Sequence, residues 1–339
     1  MSILGLDIGG ANIKAADANG RTMTVPFAIW KSPDQLGARI DQICREFPGV
    51  TQLAVTMTAE LADCYATKAE GVASILNQVE SAKSKVLVWT TAGDLVESAA
   101  ACQQPMQVAA ANWHVLATWV GRTLMTALPG EQACSLLIDI GTTTTDMIPL
   151  VNGHPQTVGW TDMTRLQSGE LSYSGVKRTP LCAVAQSVPW REGYCPVAAE
   201  LFATMLDVYL LLGDIPEDEN NRETANGQPA TRTAAHDRVA RQLCGDRDEV
   251  SMDEATQVAR FLADVQRQRL AGSLDRVLAR CSGPCLTVVV SGSGAFLARR
   301  LIAGNSQLKT AHIKSLDEFL SPGISEAACA YALAMLAAG

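Results

Sequence analysis

Two stretches of this chain repeat one another, and that repeat limits the fold more than any other feature. Ile3-Leu4-Gly5-Leu6-Asp7-Ile8-Gly9 returns about 130 residues later as Leu136-Leu137-Ile138-Asp139-Ile140-Gly141, with the aspartate and the glycine in register. In each copy a short apolar strand ends at an aspartate, a polar turn follows, and a second apolar strand leads away. Two copies of such a unit predict two similar domains. After the first copy, Asn19-Gly20 closes a hairpin, and Leu36, Ile40, Ile43 and Phe47 share one helical face between Pro33 and Pro48-Gly49. Leu53–Val55 and Val86–Trp89 read as buried strands flanking a helical Val72–Val79 segment. The antiparallel opening followed by strand–helix alternation predicts a mixed α/β architecture.

The expected domains are residues 1–132 and 133–323, with an Ala-rich helix over Ser325–Leu336, inside 324–339, packing back on the first. In the second domain a continuous strand, Leu286–Val290, runs into Gly292-Ser293-Gly294 and a helix containing Phe296, Leu297 and Leu301. Strand, glycine turn, helix is a phosphate-facing geometry. A helix is expected over Val197–Leu212, and a longer one opens with the capping box of Ser251 and Glu254 and runs toward Cys281. Arg260, Arg267, Arg269, Arg276 and Arg280 on that helix read as a solvated face. The polar stretch Asp214–Arg232 reads as an inserted loop of the length that lids have.

At 339 residues the chain has room for two domains of roughly 100–200 residues each, and 47 % hydrophobic with 18 % charged residues is a globular composition. Lys+Arg number 27 against 35 Asp+Glu, a formal net charge of −8, and no basic run is long enough to track a phosphate backbone. No nucleic-acid partner is expected. The 10 cysteines are scattered, Cys281 and Cys285 have the wrong spacing for a zinc knuckle, and the 4 histidines lie far apart. Reduced thiols without a structural transition metal are the expectation. The chain starts directly on a strand and has no run of about 18 apolar residues, so a soluble cytoplasmic protein without membrane partners is expected.

The two glycine turns carry the chemistry. In Asp7-Ile8-Gly9-Gly10-Ala11-Asn12-Ile13-Lys14, bare glycines let backbone N–H groups approach an anion, and a strand-end carboxylate suits the Mg²⁺ that accompanies phosphate. A Gly-Gly hairpin with an incidental aspartate is also a common structural turn. Asp139-Ile140-Gly141-Thr142-Thr143-Thr144-Thr145-Asp146 adds a run of hydroxyls between two aspartates, which strand formation alone does not explain.

Taken with Ser291-Gly292-Ser293-Gly294, the paired turns resemble the acetate and sugar kinase, heat-shock ATPase and actin superfamily. That resemblance implies two ribonuclease-H-like domains clamping a phosphate chain and Mg²⁺ in an interdomain cleft. One branch is similar over nearly the whole chain, through Thr56-Met57-Thr58-Ala59-Glu60-Leu61-Ala62-Asp63, Ala109-Ala110-Ala111-Asn112-Trp113, Gly169-Glu170-Leu171-Ser172-Tyr173-Ser174-Gly175-Val176-Lys177-Arg178-Thr179-Pro180 and Ala199-Glu200-Leu201-Phe202-Ala203-Thr204. These segments look like the hydantoinase/oxoprolinase-related proteins linked to tetrahydromethanopterin one-carbon metabolism. The resemblance implies methanofuran assembly, in which an aminomethylfuran-methyl diphosphate is joined to the phenol of a glutamyl-tyramine and pyrophosphate leaves without consumption of ATP.

One departure bears on the reaction: superfamily kinases carry Thr or Ser where this chain has Ala11, so a hydroxyl facing a transferring phosphoryl group is missing. An intact diphosphate leaving group needs Mg²⁺, amides and a cation. The implied site places Mg²⁺ on Asp7 and Asp139, with Lys14 alongside. The diphosphate would lie on Gly9, Gly10, Asn12, Gly141, Thr142, Thr143, Thr144, Gly292, Ser293 and Gly294. Thr58, Asn112, Lys177 and Arg178 are candidates for substrate contact, and Glu60 or Glu170 for the base that takes the phenolic proton. Trp113, Trp119, Tyr173 and Tyr209 read as packing. An ATP-dependent kinase with a purine pocket beside Gly292–Gly294, and a hydantoinase-like or non-catalytic subunit, which is expected to be longer, remain as alternatives. A homodimer is left open.

Overall fold

The computed structural model describes residues 2–80, 84–124 and 134–339. The expected border between 132 and 133 lies outside the described residues. The first of two mixed sheets contains β1 (Ser2–Ile8), β2 (Asn12–Asp17), β3 (Thr22–Pro26), β4 (Val50–Met57), β5 (Lys85–Trp89) and β6 (Leu95–Glu97), ordered β3-β2-β1-β4-β5-β6. Strand β1 pairs antiparallel with β2 and parallel with β4, which pairs parallel with β5. The second half begins with β7 (Cys134–Ile140), β8 (Thr145–Val151), β9 (His154–Pro155) and β10 (Leu171–Ser172). After a separate hairpin of β11 (Ser187–Trp190) and β12 (Gly193–Pro196) come β13 (Cys285–Ser291) and β14 (His312–Ser315), giving the sheet order β10-β8-β7-β13-β14. Here β7 pairs antiparallel with β8 and parallel with β13, which pairs parallel with β14.

Over the five strands the two sheets share, β1–β5 in the first and β7, β8, β10, β13 and β14 in the second, both orders read 3-2-1-4-5 with the second strand reversed, and β6 adds an antiparallel edge to the first sheet. That is the ribonuclease-H-like arrangement, made twice by the repeated sequence.

Each sheet has its own apolar core, and a third cluster joins them. In the third, Trp113, Leu116 and Trp119 of helix Asn112–Leu124 meet Leu137 and Ile148 of the second sheet and Leu333 of the final helix, Ala328–Ala338. The final helix lies against β1 so closely that a Cβ at Gly5 would stand 2.0 Å from the Ala330 carbonyl oxygen. Gly5→Ala is therefore expected to cost about 1–3 kcal/mol or more by overpacking. Thermal unfolding reads this as a loss of several degrees, and an unchanged melting temperature would contradict the contact.

The helical face of Leu36, Ile40, Ile43 and Phe47 is buried, and the capping box of Ser251 and Glu254 opens helix Met252–Leu278. Elsewhere the sequence expectations need correction. The helix expected over Val197–Leu212 spans only Met205–Leu212. Asp207 accepts the Thr204 N–H at 2.9 Å and starts the helix there, while Gln242 donates to the Ala198 carbonyl and accepts from the Ala203 N–H. The terminal helix is two, Pro322–Glu326 and Ala328–Ala338, broken at Ala327.

The Asp214–Arg232 segment is pinned down, which argues against a mobile lid. Arg300 grips Asp214 at 2.8 and 2.6 Å, Asp218 and Ala230 bridge, and Arg238 donates to Asn226 and to the Pro229 carbonyl. The arginine-rich helix face is only partly solvated, since Arg269 donates to the Ala183 carbonyl and Arg280 to the Ser168 carbonyl. Three of the scattered cysteines also converge. The Cys134 and Cys281 sulfurs lie 2.7 Å apart, and Cys285 is the register partner of Cys134.

Candidate active site

The repeated turns have the same internal geometry. The Gly9 N–H donates to the Asn12 carbonyl at 2.9 Å, and the Gly141 N–H donates to the Thr144 carbonyl at 2.9 Å. These two amides close their own turns, which corrects their expected role as diphosphate donors and leaves Gly10 and Thr142–Thr144 at the tips. Register then fixes what faces each strand-end aspartate. Across from Asp7 stands Lys14, and across from Asp139 stands Asp146. The second copy thus adds a carboxylate where the first has an amine. Buried Arg165 holds Asp146 at 2.5 Å and stacks over the Trp113 ring at 4.1 Å from its centroid.

Asp7 and Asp139 end the central parallel strands, where open α/β sheets place ligands. Burial raises the Asp7 carboxyl above its ordinary value against the pull of Lys14, and its Oδ1 is buried without a hydrogen-bond partner. Asp139 is pushed up to about 6 by burial, then by Asp146 and more weakly by Asp7, while a Ser291 hydrogen bond and Lys14 oppose the rise. At the start of the final helix the Cys329 thiol is raised by burial and by the charges of Asp7 and Asp139. Lys14 donates to the Glu326 carbonyl at 2.8 Å. Three carboxylates thus share the cleft floor with two basic side chains, Lys14 and Arg165. Among the described residues no three acid, histidine or cysteine side chains gather as a metal site of their own, so a hard divalent cation would rest on Asp7, with its orphaned Oδ1, on Asp139 and on oxygens of its ligand.

Gly292 and Gly294 serve close approach. A Cβ at Gly292, which has φ +86, would stand 2.3 Å from the Ile140 carbonyl oxygen and 2.6 Å from Asp139 Oδ1, and one at Gly294 would meet Ile140 and Val176. The third turn therefore abuts Asp139, with Ser291 as its contact. Lys177 and Arg178 give their backbone N–H groups to the Thr142 carbonyl at 3.0 and 2.9 Å, bracing the second turn from below. Gln266, which accepts from Tyr209, anchors that brace at Ser174 and Gly175. Tyr209 is packing as expected; Tyr173 is 70 % exposed and is not.

On the first domain, the Thr58 N–H donates to the Ile8 carbonyl beside the first turn, and Glu60 follows beyond the end of β4. Glu60 is buried, its Oε2 has no partner, and burial pushes its carboxyl up to about 7. Asn112 Oδ1 accepts the Trp113 N–H at 2.9 Å at the head of its helix. Beside it His114 is held neutral, its pKa lowered to about 4 by burial and then by Arg165. Glu170 is occupied elsewhere. Its carboxylate accepts the Val158 and Gly159 N–H groups at 2.8 and 2.9 Å and the Ser168 hydroxyl at 2.8 Å, with Arg280 at 3.3 Å. The candidate base Glu170 is therefore corrected to a loop-shaping residue.

A cavity of about 340 Å³ lies one helical turn beyond the third glycine turn, lined by Tyr209, Leu212, Asp214, Arg260, Leu297 and Arg300 among others. Arg300 is committed to Asp214 there.

Twin ribonuclease-H-like halves, each contributing a strand-end aspartate to one cleft, define the actin-like class of α/β folds. Within that class the chain belongs to the hydantoinase/oxoprolinase family, which it matches over residues 52–338. It is 31 % identical over 338 residues to the (4-{4-[2-(gamma-L-glutamylamino)ethyl]phenoxymethyl}furan-2-yl)methanamine synthase of Methanocaldococcus jannaschii, covering 98 % of this chain and 97 % of that protein. The protein of the same name from Methanococcus vannielii is 27 % identical over 201 residues, 59 % of this chain and 89 % of its own. Among solved structures, an archaeal actin homolog aligns over 100 % of this chain and 99 % of its own at 12 % identity and a TM-score of 0.46. Nucleotide-free acetone carboxylase aligns over 90 % of this chain and 67 % of its own at 11 % identity and a TM-score of 0.49. Among the described residues no helix is long and apolar enough to cross a membrane.

Sequence reasoning missed Lys68, Asp162, Arg165 and Cys329, and passed over Asp146 as a site residue. Only Asp146 carried a signal, being the register counterpart of Lys14 in the repeat.

Proposed function

We propose that this chain is an enzyme joining an aminomethylfuran-methyl diphosphate to the phenol oxygen of a tyramine derivative, with release of pyrophosphate. The bond from the furan methylene carbon to the diphosphate oxygen breaks, and its electron pair leaves with pyrophosphate. The furan ring delocalises the positive charge left on the methylene. The phenol oxygen then forms the new C–O bond, and its proton passes to Glu60. Asp7 and Asp139 would hold Mg²⁺, which supplies charge stabilisation to the leaving diphosphate. Lys14 and the turn tips at Gly10 and Thr142–Thr144 would orient the anion.

The observation that carries this reading is the pair of strand-end aspartates, one orphaned at Oδ1 and the other raised to about 6, beside Ala11, which offers no hydroxyl to a transferring phosphoryl group. The full-length likeness to the Methanocaldococcus jannaschii synthase, whose name describes a phenoxymethyl-furan ether, supports the choice of a furan methylene and a tyramine phenol as the groups joined. Titration calorimetry at fixed Mg²⁺ tests it against a kinase. Pyrophosphate is expected to bind and ATP to bind more weakly. A kinase with a formed purine pocket would hold ATP about a hundredfold more tightly than pyrophosphate, a difference of about 2.8 kcal/mol, and that result would replace the synthase reading.

A further inference from the structure

Lys68 stands between two carboxylates that come from different halves of the molecule. Its Nζ is 3.8 Å from Glu60 Oε1 and 3.9 Å from Asp162 Oδ2, so neither acid holds it closely. Helix Lys68–Glu80 is locked over Glu60 by Gly71, where a Cβ would stand 2.0 Å from the Glu60 carbonyl oxygen. Lys68 is thereby fixed above the carboxylate. Asp162 opens helix Asp162–Ser168, whose Arg165 lies 3.9 Å from its other oxygen and also holds Asp146. The loop before that helix is held by Glu170 through Val158 and Gly159, and Gly159 packs within Cβ contact of the Arg165 backbone. The second half therefore carries Asp162 to Lys68 on a braced support.

We propose that Lys68 and Asp162 are positioning residues for Glu60: the second domain, through Asp162, draws the Lys68 ammonium partly away from Glu60 and so leaves this carboxylate able to take a proton. The inference rests on the assignment of Glu60 as base in the proposed reaction. The charged groups facing Glu60 are Lys68 from its own domain and Asp162 from the other, with Arg165 and Asp146 behind Asp162. From the segment before helix Asn112–Leu124 only the Ala110 amide reaches it, at a residue held at φ +49. Burial is the largest influence on the Glu60 carboxyl and raises it; its own backbone amide and then Lys68 oppose the rise, and Asp162 reinforces it. Were Asp162 absent, Lys68 would be free to pair with Glu60 alone. Were Lys68 absent, only the backbone amides of Glu60 and Ala110 would still oppose burial.

The two substitutions must then act in opposite directions. Lys68→Met is expected to move the Glu60 titration up by about one pH unit or more, and Asp162→Asn to move it down. Infrared difference spectroscopy of the protonated carboxyl band, assigned by its loss in Glu60→Gln, reads both shifts without substrate. The acid limb of the kcat/KM profile is expected to follow each shift, and Lys68→Arg to restore the wild-type limb. Should Lys68→Met fail to fold by thermal melting, Lys68→Gln replaces it. Shifts of the same sign, or no shift, would overturn the inference. Opposite infrared shifts in a chain without synthase turnover would remove the proposed reaction and leave the control of Glu60 standing.

Discussion

Asp7→Asn is expected to lower turnover by about two to three orders of magnitude and to leave the fold intact, the loss typical of removing one preorganised electrostatic contact to a developing charge. The side chain touches the cleft, and its Oδ1 lacks a partner, so asparagine removes a costly buried charge without opening a cavity. Asp139→Asn is expected to behave alike. Stability carries the same information with a defined sign. The Asp139 carboxyl is raised from 3.8 to about 6, so its contribution to stability is present below 3.8 and is lost as pH rises through 6. The ligand-free protein should therefore unfold at lower temperature at pH 7.5 than at pH 5 as far as this group decides it. Mg-pyrophosphate should narrow that gap, and Asp139→Asn should flatten it. Calorimetric scans over pH read the slope, and wild-type turnover in both variants would end the assignment of a metal clamp to these aspartates.

The frame was legible because the sequence states it twice. Strand, aspartate, glycine turn and strand recur with the acid in register, and both copies fold to turns closed by the same 2.9 Å bond. The strand-end places of Asp7 and Asp139 were readable for that reason. What the repeat does not encode is contact between the halves. Lys68 begins a helix and Asp162 lies in a first helical turn, places where a sequence ordinarily puts solvated charges. Only the approach of the two halves makes them neighbours. Glu170 misled for a related reason. A glutamate flanked by Gly169 looks like a loop acid facing ligand, yet it turns inward to Val158 and Gly159, which lie beyond the helix that separates them in sequence. The Val197–Leu212 expectation failed because apolar content cannot reveal that Gln242, some forty positions on, ties down the first half of the segment.

The two glutamates give the second large effect, because replacing each by glutamine should separate chemistry from architecture. Glu60→Gln is expected to reduce kcat by about 10²–10⁴-fold, the usual range for a lost general base. Its melting temperature should hold, since the Oε2 removed as an acceptor has no donor to lose. The pH dependence should change as well. A base raised to about 7 must lose its proton to act, so wild-type activity climbs as pH passes through 7, whereas the residual activity of Glu60→Gln should be level there. Glu170→Gln should do the reverse. It weakens a carboxylate that serves two backbone amides, a hydroxyl and Arg280, so stability should fall by about 2–4 kcal/mol while folded protein keeps a near-normal kcat and the same acid limb. Rates measured per folded molecule, with thermal unfolding of both variants, decide the matter. A Glu60→Gln enzyme with full activity and an unaltered pH profile would return the base to some other residue and leave Glu60 as a buried acid without a catalytic role.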